Sequence, residues 1–152
     1  MKVIFLDVDG VLNSKDWLEN NRVRTENSVN PEKVKLLAEI VKNTNATVVL
    51  SSTWRYIPEH PMFMYLTDIL GVNGIKIHSF TPKLDGDRPR EIKEWIEKQT
   101  EEVQFISIED DFSEEDYRKY RIEDRLVKTS YYGEYGGLQR KHVEKAIQLL
   151  NK

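Results

Sequence analysis

The sequence predicts an α/β fold: a three-layer sandwich around a central, mostly parallel sheet. Short aliphatic, β-branched runs recur at 3–6, 47–50 and 103–108. Between them lie segments whose apolar residues repeat at helical spacing and whose starts carry cap residues. With 152 residues, the chain is most simply one domain with a real core. Repeated β-α units of this kind place helices on both faces of a parallel sheet.

The elements follow in order. Val3–Leu6 is the first strand. Asn30-Pro31-Glu32 starts a helix with an Asn cap, Pro at the first position and an acid in the first turn. Val34, Leu37, Ala38 and Val41 then recur at helical spacing. Thr47–Leu50 is the second strand. A helix is predicted over 61–70, ended by Gly71. Ile75–Phe80 alternates as a weak third strand. Ile92, Trp95 and Ile96 mark a helix from Pro89 to Gln99. Val103–Ile108 is a fourth strand and Arg125–Lys128 a short fifth. Val143, Ala146, Ile147 and Leu150 give the closing helix its apolar stripe. Residues 14–30 are too few for a folded domain but enough for a flap, and 54–74 hold one helix at most, so no large cap domain is expected.

Ligands of such sheets bind at the carboxyl ends of the strands, and several strands here end in reactive residues. The first runs into Asp7-Val8-Asp9-Gly10. In extended backbone, residues two apart share a side, so Asp7 and Asp9 start close together. Paired carboxylates repel unless a cation or proton separates them, and Mg²⁺, a hard ion held by oxygen, suits them. The second strand ends in Ser51, Ser52 and Thr53, then Trp54 and Arg55. The fourth ends in Glu109, Asp110 and Asp111. Strand-end hydroxyls and amides can hold phosphate oxygens. Lys83, Arg88 and Arg90 offer positive charge near a helix start. An EF-hand loop, which also uses DxDG, is excluded: it needs further Asp or Asn at fixed steps and a closing Glu, whereas Val11 and Leu12 follow Gly10.

Composition removes other classes. Net charge is −3, giving no global attraction to nucleic acid or an anionic membrane, although a local basic patch would suffice for a polynucleotide end. No apolar run spans a bilayer. With no cysteine, thiolate zinc sites and disulfides are impossible. The cysteine-free composition and lack of a leader before the first strand fit a cytoplasmic protein. No GxxxxGK[ST] loop supports a P-loop kinase.

The order DVDGV, a strand ending in Ser, a Lys or Arg, then a strand ending in acids resembles the haloacid dehalogenase-like (HAD) superfamily. DVDGVLN, LSSTWR, RPREIKEW, ISIEDD and Gly137-Leu138 are similar to the small HAD domains of Swiss Army Knife RNA repair proteins. The resemblance spans nearly the whole chain and implies a HAD-like Rossmannoid sandwich with phosphatase activity through an aspartyl-phosphate. It makes Asp7 the nucleophile and Asp9 the general acid/base. Mg²⁺ would be held by Asp7, the backbone carbonyl of Asp9 and an acid of the fourth strand, Asp110 in preference to Glu109. Ser51, with Ser52 beside it, would bind phosphate. The basic residue is Arg88 by alignment of RPREI with the family's Arg-x-x-Glu-Ile, with Lys83 as the alternative.

An open site suits a polynucleotide end or a small phosphate ester. A non-catalytic phosphate- or partner-binding module on the same fold is the competing reading, and Asp9 argues against it because a binder needs no acid there. A receiver-like domain has the acids in the wrong strand order. Arg55 is read either as a clamp on a second phosphate or as a surface charge beside an edge-packed Trp54. Tyr131, Tyr132 and Tyr135 read as a packed aromatic loop, with base stacking as the alternative. His60, His78 and His142 lack metal-ligand spacing. Residues 114–125 read as a solvated, mixed-charge helix or loop.

Overall fold

The computed structural model describes residues 1–152. Its strands are β1 (Lys2–Leu6), β2 (Thr47–Leu50), β3 (Ile77–Phe80), β4 (Gln104–Glu109) and β5 (Leu126–Lys128). They form one all-parallel sheet in the order β3-β2-β1-β4-β5. The helices are α1 (Lys15–Asn20), α2 (Pro31–Thr44), α3 (Pro61–Val72), α4 (Arg88–Glu97), α5 (Glu114–Arg118) and α6 (Arg140–Leu150).

The central strand β1 shows why two faces must be covered. Ile4 and Leu6 point into a core with Leu37 of α2, Leu66 of α3 and Ala146 of α6. Val3 and Phe5 point the other way, toward Ile92 and Trp95 of α4 and Tyr117 of α5. All four strand residues are fully buried, so β1 reads as an unbroken apolar run, as a strand covered on both faces does. Phe5 meets Trp95 and Phe105 edge-on, at ring-centre separations of 5.4 and 5.7 Å. The chain adds β2 and β3 on one side of β1, then crosses back to lay β4 and β5 on the other. That reversal at β1 leaves a crevice at its carboxyl end, the place where such sheets bind ligands.

The start of α2 behaves as read from the sequence. Asn30 accepts from the Glu32 amide, with Pro31 in the first turn of α2, and the helix closes on Asn45 at φ 58°. Other readings differ: α4 runs Arg88–Glu97, β4 Gln104–Glu109 and β5 Leu126–Lys128, each shifted by one or two residues. Gly71 does not end α3, which runs on to Val72; the chain reverses at Gly74, whose φ of 76° lies in the left-handed region. Ile75 is buried in the core ahead of β3, which starts only at Ile77. Residues 114–125 are not wholly solvated: α5 buries the whole of Tyr117, and Ile122 follows it inside. The Tyr117 hydroxyl shares a 2.5 Å hydrogen bond with Ser107 on β4, which satisfies its one polar atom in the core.

No large cap interrupts this plan. Between Ser14 and Asn30 lie only α1 and a short 3₁₀ turn at Thr25–Asn27. No helix is long and apolar enough to cross a membrane.

Candidate active site

The sheet's hydrogen bonding continues one residue past each strand and so sets the site residues in a row. The Asp7 amide donates to Ile108 O (3.1 Å), that of Ser51 to Leu6 O (2.9 Å), that of Thr81 to Leu50 O (3.1 Å), and that of Thr129 to Glu109 O (3.0 Å). Asp7 is therefore flanked by Ser51 on one side and by the β4 acids on the other.

After Asp7 the chain turns sharply. The amides of Val11 and Leu12 both return to Val8 O. Gly10 sits at φ 79°, and a Cβ placed on it would fall inside the Asp110 carboxyl group. Only glycine meets both conditions. The close approach brings the Asp9-Gly10 turn directly against the acid that ends β4.

Asp7, Glu109 and Asp110 each offer an oxygen, all within 4.8 Å of one another. In the metal-free protein their charge is poorly accommodated. Burial, opposed by Arg88 and reinforced by Asp110, raises the Asp7 carboxyl to about 7. Burial likewise raises Glu109 to about 6 and pushes Asp110 up. Asp7 and Asp110 lie close enough to share a proton. Oxygen ligands crowded with unmet negative charge fit a hard dication. The three acids are not equivalent, however. Glu109 Oε1 accepts from Arg88 at 2.9 Å, and its Oε2 accepts from the amides of Asp111 (2.6 Å) and Phe112 (3.1 Å). Asp110 has no comparable set of partners and is the freer ligand.

Of the two basic candidates, Arg88 stands at the acids. Its Nη1 is 3.7 Å from Asp7 Oδ1, and the side chain is nearly buried. Burial alone would lower its pKa, but Asp7 and Glu109 outweigh that, and the net direction is up. Lys83 is directed elsewhere, its Nζ lying 4.2 Å over the Tyr56 ring. The two serines also separate. Ser51 Oγ is buried with no hydrogen-bond partner, as is Arg88 Nε. Unpartnered buried polar groups cost about 1–3 kcal/mol each, so the arrangement has unused capacity for the oxygens of a bound anion. Ser52 Oγ instead accepts from the Trp54 amide and caps the turn at Thr53–Tyr56.

Arg55 fits neither sequence reading. It is 5% exposed, donating to the carbonyls of Ser51 (2.7 Å), Ser52 (2.8 Å) and Thr81 (3.2 Å) and pairing with Glu91 at 2.9 Å. The carbonyls ending β2 and β3 leave acceptors that a guanidinium fork can collect. Glu91 also reaches Arg88 at 3.9 Å. A buried line of alternating charge thus runs from Arg55 through Glu91 and Arg88 to Glu109 and Asp7. Trp54 is not packed at a sheet edge either. It lies in the core with its indole N–H on Asp9 Oδ2, at 3.1 Å.

Asp9 itself is exposed at the mouth, and Asn13 Nδ2 holds its other oxygen at 3.0 Å. The expected packed aromatic loop is only partly packed. Tyr131 is half-buried and meets Tyr132 edge-on at 5.2 Å, but Tyr132 and Tyr135 are 69% and 73% exposed. Burial, then the Asp9 carboxylate, raises the Tyr131 phenol, which places this tyrosine at the same mouth. His142 is structural: its Nδ1 accepts from the Gln139 amide at the start of α6, and burial lowers it to about 4.

Sequence reasoning missed Asn13, Trp54 and Glu91. Asn13 carried a usable signal, four residues beyond Asp9 in a chain that must turn. Trp54 and Glu91 act across the fold, and their types give none.

With this geometry in view, comparison with known families is decisive. The family model describing the HAD domain in Swiss Army Knife RNA repair proteins matches residues 3–143. The chain belongs to that family. No curated protein and no solved structure gives a match. The all-parallel sheet without a large cap is the HAD-like Rossmannoid fold, and family membership indicates activity of the hydrolase type in general terms.

Proposed function

We propose that this HAD domain is a Mg²⁺-dependent phosphatase, hydrolysing phosphoric monoesters through a phosphoryl group carried on Asp7. The observation that carries the reading is Asp7 itself. It is a buried carboxyl at the crevice of the sheet, with a guanidinium 3.7 Å away and the oxygens of Glu109 and Asp110 within 4.8 Å. Buried carboxyls raised this far by their surroundings concentrate at functional sites.

Asp7, Asp110 and the backbone carbonyl of Asp9 would hold the ion, with Glu109 close by. Bound Mg²⁺ would neutralise the gathered acids and the negative charge of the substrate phosphoryl group. An Asp7 oxygen forms a bond to phosphorus while the ester P–O bond breaks. Asp9 gives its proton to the departing oxygen. Asp9 then takes a proton from water as the water oxygen bonds to phosphorus, and the Asp7–phosphorus bond breaks to restore the carboxylate. Ser51 Oγ and Arg88 donate to the phosphoryl oxygens as their charge builds. Glu109, which pairs with the same Arg88 Nη1 that faces Asp7, keeps that guanidinium at the site.

The substrate class we propose is the phosphorylated end of a nucleotide or polynucleotide. Supporting it are the open mouth without a cap, the tyrosines beside Asp9, and the occurrence of the family in RNA repair proteins. The test is phosphate release with Mg²⁺ from 5′- and 3′-phosphorylated oligonucleotides, nucleotides and sugar phosphates, with Asp7→Asn as control. Release by wild type and not by the variant supports the reading. Binding without release from any substrate returns the chain to a phosphate-binding module.

A further inference from the structure

We propose that Trp54 and Asn13 are positioning residues for Asp9, locking its carboxyl between two buried donors so that the proton-transfer group is preset without any closing lid. The inference rests on the phosphatase reading for its kinetic consequence, and on geometry alone for the locking.

Asp9 is the exposed member of the site, and an exposed aspartate on a turn ordinarily samples several rotamers. Here both oxygens are held. Trp54 Nε1 donates to Oδ2 at 3.1 Å and Asn13 Nδ2 to Oδ1 at 3.0 Å. The donors come from different parts of the chain, and neither is free to follow a moving carboxyl. Trp54 is 3% exposed and Asn13 fully buried. The Trp54 ring lies in the larger core, and its amide is fixed by Ser52 Oγ at 3.1 Å. Its turn is tied down by Arg55, which donates to the carbonyls of Ser51 and Ser52. Asn13 is pinned at both ends of its amide group: Oδ1 accepts from the Gly10 amide at 3.0 Å, and Nδ2 also donates to Ser28 O at 2.7 Å.

A carboxyl oxygen has two lone-pair positions. Each donor uses one, leaving a position on the same oxygen for a proton to travel to or from substrate. The lock is thus compatible with acid and base action alike. It also replaces something the fold lacks. With no cap to press on Asp9, fixed donors in the core are what keep it within the narrow geometry that proton transfer needs. Trp54 does this as a donor, apart from its packing, and the two roles are separable by experiment.

The experiment replaces Trp54 with benzothienylalanine at that position alone, which keeps the bicyclic shape and removes the N–H. Trp54→Phe and Asn13→Ser accompany it, each checked by near-UV circular dichroism. The kinetic readout is kcat/KM for an alkyl phosphate and for p-nitrophenyl phosphate, which reports the steps through phosphoenzyme formation. Loss of positioning should lower the alkyl value by ~10–100-fold, the range typical of such supporting contacts. The nitrophenyl value should change by less than ~3-fold, because a good leaving group needs little protonation. Equal losses on both esters, or none, would overturn the proposal. The second readout needs no activity: Asp9 side-chain three-bond couplings by NMR. One χ1 rotamer in wild type and averaged couplings in the variants support the lock. Unchanged couplings in the benzothienyl variant refute it. Inactive wild type with a locked Asp9 would count against the phosphatase reading and leave the lock standing.

Discussion

Replacing Asp7 by Asn should stabilise the metal-free protein, by an amount that grows as pH rises above about 4 and is complete near 7. The side chain keeps its size, and its oxygen can still accept from the Val8 amide, 2.9 Å away in the wild type. What changes is the charge. The fold raises this carboxyl from an ordinary 3.8 to about 7, with burial as the main cause. At about 1.4 kcal/mol per tenfold, ionising Asp7 inside the fold costs about 4 kcal/mol more than in the unfolded chain. The folded state therefore holds a proton that the unfolded state has released between those two values. The stability that the Asp7 proton contributes is complete below pH 3.8 and declines as pH rises toward 7, then levels off. Asn carries no such cost. Arg88 loses one partner at 3.7 Å but keeps Glu109 at 2.9 Å, which offsets part of the gain. The expected advantage at pH 8 is about 2–4 kcal/mol, or roughly 4–16 °C in Tm for a chain of this size. At pH 4 the two proteins should melt together. The assay is thermal denaturation in EDTA across that range. A Tm difference that ignores pH, or a less stable variant at pH 8, would refute the burial argument.

The same charges set the other expectations. Mg²⁺ should raise the wild-type Tm more at pH 8 than at pH 5, because below about 6–7 protons compete for Asp7 and Glu109; calorimetry in both buffers checks this. EDTA should abolish phosphate release and added Mg²⁺ restore it. Asp7→Asn should lower turnover by about four orders of magnitude or more, as loss of a nucleophile does, measured by phosphate release. Asp9→Asn should slow hydrolysis of the phosphoenzyme as well as its formation, so that mass spectrometry traps a phosphorylated chain with a good leaving group. Arg88→Gln leaves Glu109 and Asp7 buried without their cation; it should cost about 3–5 kcal/mol in urea titrations and remove activity together.

How far the sequence reaches depends on the range of each interaction. Asp7 and Ser51 were legible because each follows an apolar strand, and an α/β sheet gathers strand ends at one edge. The choice between Arg88 and Lys83 was not legible to spacing alone, since both lie at or just before the start of the same helix; it turns on which one Glu109 and Glu91 hold. Arg55 could not be read. Its type suggests solvent or substrate, and only the converging carbonyls of Ser51, Ser52 and Thr81 explain an arginine inside. Tyr117 hid within a run of charged residues for a similar reason: five residues of α5 carry one that faces the sheet. The hydrogen bond from Trp54 to Asp9 joins residues 45 apart, beyond any local pattern.

The strand order also governs when the site comes into being. As the chain leaves the ribosome, β1 can pair with β2, and β2 with β3, as soon as residue 80 is free. Asp7, Ser51 and then Arg88 are available early. The other edge of β1 waits for β4, whose Gln104 lies opposite Lys2. Until then a strand destined for the middle of the sheet presents an apolar, unpaired edge, the kind that recruits other chains. The arrival of β4 closes that edge and delivers Glu109 and Asp110 in the same event. Protection from aggregation and assembly of the acid cluster are thus one step of synthesis, and a chain halted before it has Asp7 without Glu109 and Asp110 beside it.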